Sequence, residues 1–110
     1  MKLLLTVTSI ALAMSTGAAF ARGDASAGQA KAKQVCAACH GENGDKPLQP
    51  EYPVLSGQHY DFLVKALKDY KAGTRKNAIM GGQAQQLSAK DIQDVAAWFS
   101  SRPGNLAVKR

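Results

Sequence analysis

Cys36-Ala37-Ala38-Cys39-His40 is the stretch on which the reading of this chain turns. The pattern C-x-x-C-H is the attachment signature of a c-type haem. Its spacing has a physical reason, because residues i and i+3 lie on one face of a helical turn. Both thiols can therefore form thioethers to the two vinyl groups of one porphyrin, and His40 can bring an imidazole nitrogen to the iron. Three rival readings are weaker. A thioredoxin-like redox pair calls for a βαβ setting, and no segment shows strand alternation. Zinc calls for four ligands, and beyond residue 21 the chain offers Cys36, Cys39, His40 and His59, with His40 awkwardly placed for tetrahedral closure. A chance match in an inert helix is the poorest account of so specific a motif.

Upstream of the motif, Met1-Lys2 leads into an apolar run from Leu3 to Met14, then small residues ending in Ala19-Phe20-Ala21. This reads as a signal peptide cleaved after Ala21. Thr6, Thr8, Ser9, Ser15, Thr16 and Gly17 interrupt the run, and a span wants roughly 20 apolar residues, so a lasting membrane anchor is not expected. Residues 22–110 then form one domain with a net charge of +5. The expected location is the periplasm, where covalent haem attachment of this type belongs. A chain this short buries only about 60–65 % of its unfolded surface, so its core needs a supplement. A bridge between cysteines three apart would close too small a loop to constrain much.

The rest of the domain reads as all-α, with three to five helices. Asp24 can N-cap a first helix running through about Cys39, with Gly28 a local weak point. Gly41, Gly44, Pro47, Pro50, Pro53 and Gly57 punctuate a long irregular stretch, and such loops in compact domains are usually functional. A second helix fits 58–72, where Leu63, Ala66, Leu67 and Tyr70 follow helical spacing and Gly73 marks the end. A third starts at Ser88, with Asp91 facing its positive end and Ile92, Val95, Ala96 and Phe99 on one face, until Pro103-Gly104 stop it.

The role of a haem depends on its second axial ligand. Met80 is the only methionine beyond residue 21, in a turn-like segment from Asn77 to Gly82. A lone methionine is more often a core gap-filler. One flanked by glycines on a loop is better placed to reach an iron. His/Met ligation is the arrangement of electron-transfer cytochromes, the thioether favouring Fe(II) and raising the potential. His59 is the rival ligand. An open sixth site would point instead to a haem enzyme or a gas or redox sensor, but no distal acid–base constellation is visible.

These motifs together resemble the bacterial class I cytochromes c. The likeness rests on Cys36-Ala-Ala-Cys39-His40-Gly41-x-x-Gly44, Pro53-Val-Leu55-Ser-Gly57-Gln58, Asn77 to Met80, Leu87-Ser88 and Ala97-Trp98-Phe99, and is nearest to one half of the di-haem cytochromes c. It implies a class I fold wrapped around one haem c, covalent through Cys36 and Cys39, its iron held by His40 and Met80. It further implies that the Pro53 carbonyl orients His40, that Leu55 packs on the porphyrin, and that Trp98 and Phe99 join the contact between the first and last helices. Related sequences often place a proline where Ala78 stands, so a less stiff ligand loop is expected.

The function implied is electron transfer between redox proteins such as an oxidase, dehydrogenase or reductase, by a monomeric carrier that is not itself an enzyme. Lys65, Lys68 and Lys71 recur along the second helix, with Arg75 and Lys76 beyond it. Such runs are commonly just solvated faces, but this one could steer docking to an acidic partner. Nucleic acid is not expected, since export and the absence of any nucleic-acid motif argue against it.

Overall fold

The computed structural model describes Leu3 and residues 22–106. Apart from Leu3, the expected leader, residues 1–21, lies outside the described residues. Five helices follow in order: α1 Ala25–Val35, α2 Ala37–His40, α3 Tyr60–Ala72, α4 Ala78–Gln85 and α5 Ala89–Ser101. Among the described residues there is no strand. No described helix is long and apolar enough to cross a membrane.

The cap signals act where the sequence puts them. The Asp24 carboxylate accepts from the N–H groups of Ser26 and Ala27 and starts α1. Ser88 and Asp91 form a reciprocal capping box at the head of α5, satisfying two donors left over by the first turn. Gly73, at φ 83°, ends α3 in the left-handed conformation.

Four expectations change. The first helix does not run unbroken to Cys39. Its ladder tightens at Cys36, whose carbonyl accepts from both Cys39 N–H (3.2 Å) and His40 N–H (3.0 Å), and α2 follows as a separate turn. The second helix begins at Tyr60 rather than 58, because Gln58 N–H donates back to the Leu55 carbonyl and its own side chain accepts from His59 N–H. Met80 lies not on a loop but in the first turn of α4. The Asn77 carboxamide oxygen accepts from Ile79 and Met80 N–H, at 3.0 Å each, and this cap outweighs the two glycines that follow. Gly28, finally, is not a weak point. A Cβ there would stand 1.8 Å from the Asp94 carbonyl oxygen, so its bare backbone is what lets α1 lie against α5.

The core forms along that seam and on the inner face of α3: Ala32, Leu63, Leu87, Ile92, Val95, Ala96, Trp98 and Phe99 are buried. Polar stitches close its ends. Gly23 N–H donates to the Tyr60 hydroxyl, Asp24 N–H to the buried Asp94 carboxylate at 2.8 Å, and Trp98 Nε1–H to the Glu42 carbonyl at 3.1 Å. Lys90 supplies Asp94 with its counter-charge, so this buried carboxylate is both paired and hydrogen-bonded. The α3–α4 corner is pinned separately, by Lys71 Nζ donating to the Leu87 carbonyl and Gln85 Nε2 to the Lys71 carbonyl.

Candidate functional site

Between α2, α3, α4 and the inner face of α5 lies a cavity of about 570 Å³, within the range of small-molecule cofactor sites. All six residues singled out in the sequence line it: Cys36, Cys39, His40, Pro53, Leu55 and Met80. His59 is absent from its lining.

The tight turn at Cys36 sets the two cysteines and the histidine on one wall. Both thiols are half-buried and unbridged. Before any attachment, burial with Cys39 close by pushes the Cys36 thiol up to about 11, so the free side chain is a protonated, weakly polar group at neutral pH. His40 is buried, and its Nδ1 lies 2.9 Å from the Pro53 carbonyl oxygen. A carbonyl only accepts, so Nδ1 carries the proton and donates it, leaving the Nε2 lone pair available. The irregular segment 41–57 earns its length here. It folds back through Leu48 N–H to the Cys39 carbonyl and through Leu55 and Ser56 N–H to the Gly44 carbonyl, which brings Pro53 over His40. Tyr52 adds a tilted ring 6.2 Å from the imidazole.

The opposite wall comes from α3 and α4: Phe62, Leu67, Tyr70, Ile79 and Met80. Met80 is held in a capped helical turn, so its position does not depend on a proline at 78. Val95, Ala96 and Phe99 of α5 form the floor, so Phe99 belongs to the cavity as much as to the helix contact. Trp98 is buried with Ala32 of α1, as expected, and its ring also meets the Glu42 carbonyl through Nε1–H and the Arg102 guanidinium, 3.8 Å from its centroid. Sequence reasoning missed Tyr52, Phe62, Tyr70 and Ile79. Phe62 and Ile79 sit off the apolar stripes of their helices, and being 51 % and 53 % exposed is the signal that their partner is not another helix.

The basic run is less free than its sequence suggests. Lys65 pairs with Asp69, Lys71 is spent on the Leu87 carbonyl, and Arg75 lies over the Tyr70 ring at 4.8 Å. Lys68 and Lys76 are exposed and, among the described residues, make no ion pair.

Haem c fits this cavity. Two thiols at i, i+3, an imidazole with its second nitrogen committed, a thioether and otherwise apolar walls make a donor set for a covalently held iron porphyrin. Among the described residues no three His, Cys, Asp or Glu gather as a zinc site would need. A helical shell around such a cavity defines the class of c-type haem proteins. The cytochrome c family model matches residues 25–103, and the chain belongs to that family, with haem c bound through Cys36 and Cys39. It is 45 % identical to cytochrome c4 of Stutzerimonas stutzeri over 83 % of its own length but only 47 % of that protein's. It is 46 % identical to cytochrome c-554(548) of Halomonas halodenitrificans, over 73 % of its own length and 98 % of that protein's. The crystal structure of reduced recombinant cytochrome c4 from Pseudomonas stutzeri superposes with a TM-score of 0.68 at 43 % identity, covering 76 % of this chain and 47 % of that one. The chain thus spans about half the length of its cytochrome c4 relatives and nearly all of the shorter one.

Proposed function

We propose that residues 22–110 are a periplasmic single-haem electron carrier, exported by a leader at residues 1–21, with His40 and Met80 as axial ligands of the iron. The observation that carries this reading is that Met80, the only methionine beyond the leader, lines the same cavity as Cys36, Cys39 and His40. The bound haem supplies the one-electron couple. The protein supplies geometry and environment. The His40–Pro53 hydrogen bond fixes the imidazole's tautomer and orientation and raises its basicity toward the metal. The Met80 thioether favours the reduced iron and raises the potential. With the first ligand in a tight turn and the second on a capped helix, little reorganises when charge changes.

Carriage of electrons, not turnover of a substrate, is the role in keeping with the cytochromes the chain matches. Redox proteins such as an oxidase, dehydrogenase or reductase are the proposed partners. Lys68 and Lys76, exposed and without an ion pair among the described residues, offer the attraction to an acidic docking face, which is screened by salt. The test is the absorption spectrum of the oxidised protein. A methionine-to-iron charge-transfer band is expected, and Met80→Ala abolishes it and lowers the reduction potential. A high-spin oxidised spectrum with rapid cyanide binding in the unaltered protein overturns the ligation.

A further inference from the structure

The chain does not leave the site when α5 ends. Arg102 terminates the helix in extended conformation, and Pro103-Gly104-Asn105-Leu106 turn back across Ser56-Gly57, the loop that follows Pro53 and Leu55. The crossing is a backbone-to-backbone fit. A Cβ on Gly104 would stand 2.2 Å from the Ser56 carbonyl oxygen, and one on Gly57, itself at φ 72°, would stand 2.7 Å from Gly104 Cα. No side chain can enter between the two segments. The loop is in turn fixed from inside, because Ser56 is buried and Gly57 N–H donates to the Phe99 carbonyl at 2.9 Å. This crossing delivers Leu106 to the wall of the haem cavity, where it is 43 % exposed. An apolar side chain carried to the wall of a cofactor cavity has a physical use there, which is to exclude water.

We infer that residues 103–106 are a strap over the haem, in which the Gly57–Gly104 crossing is the clasp and Leu106 the covering residue that sets water access to the porphyrin. Leu106 carries no metal-ligating atom, so it is a positioning residue that acts through the local dielectric. Water stabilises the more highly charged oxidised iron, so burial raises the reduction potential and exposure lowers it. The inference rests on the electron-carrier reading, since the potential is the property it adjusts.

Spectroelectrochemical titration of the full holoprotein tests it, with reoxidation by ferricyanide as the second readout. Leu106→Ser is expected to lower the midpoint potential and speed reoxidation with the methionine band retained, because it removes cover without touching a ligand. Gly104→Ala, which opens the clasp at Ser56, is expected to act in the same direction. Leu106→Ile, keeping the apolar cover, is expected to match the parent in both readouts. Unchanged potentials in both Leu106→Ser and Gly104→Ala overturn the strap, whatever the spectrum shows. Absence of the methionine band in the parent overturns the ligation reading instead, and leaves the shift between parent and variants still readable.

Discussion

The α1–α5 seam and the haem cavity are built on opposite terms. Along the seam the protein completes itself: Gly28 brings the backbones into contact, Ala32, Ile92 and Val95 are fully covered, and Asp94 and Tyr60 tie down the chain where it enters the domain. Around the cavity the walls carry apolar side chains that the other described residues leave uncovered, with Val54, Phe62, Ile79 and Leu106 exposed by 39–53 %. Full burial of such side chains stabilises by about 1.5–3 kcal/mol each, and a small domain is stable by only about 5–15 kcal/mol in all. A seam of two short helices is therefore a frame, and the apolar walls around the cavity await the cofactor to complete the core.

The hardest test of that division removes the attachment. Cys36→Ala/Cys39→Ala, or the haem-free chain, is expected to lose most of its helical circular-dichroism signal. A stably folded apoprotein would mean that the seam alone carries the fold. A smaller effect is expected on the other side of the comparison. Gly28→Ala forces a Cβ into the Asp94 carbonyl and should cost about 3 kcal/mol in chemical denaturation of the holoprotein, despite alanine's better helix propensity. An increase in stability would show that the seam can open without loss.

The smallest effect concerns pH. The Asp91 carboxyl is held below the usual carboxylate range, first by the Ser88 backbone N–H and then by the Ser88 hydroxyl and Lys31. Its folded value lies below its unfolded one, so its contribution is present above about pH 4 and is lost as pH falls through the folded value. Asp91→Asn should therefore cost about 1 kcal/mol at neutral pH and little in acid. Equal destabilisation at both ends of the range would show that the cap acts through packing rather than charge.

What could be read in advance follows the same division. Local chemistry was legible: the caps at Asp24 and Ser88, the stop at Gly73, the haem motif, and the small set of side chains that meet at the cavity. Non-local geometry was not. Gly28 looks like a helix defect until α5 is laid against it, and the same residue type carries opposite meanings in the two settings. Helix α4 hid behind Gly81-Gly82, and the Asn77 cap that outweighs them emerged only in the structure. The cavity walls at Phe62 and Ile79 break the helical stripe because they answer to a cofactor, and stripe-reading assumes that apolar faces seek other helices. The lysine run was legible only in part for a third reason: spacing shows where charges stand but not which of them, like Lys65 with Asp69, are already engaged.

The link from Asp24 to Asp94 joins positions 70 residues apart and closes the seam on which α1 depends. It gives the domain an order of assembly. As the chain emerges from its N-terminal end, α1 and the haem motif appear long before their partner helix, and the frame cannot shut until α5 follows. For that interval Cys36 and Cys39 are presented before α5 exists, and even in the assembled domain both stay half-buried rather than sealed.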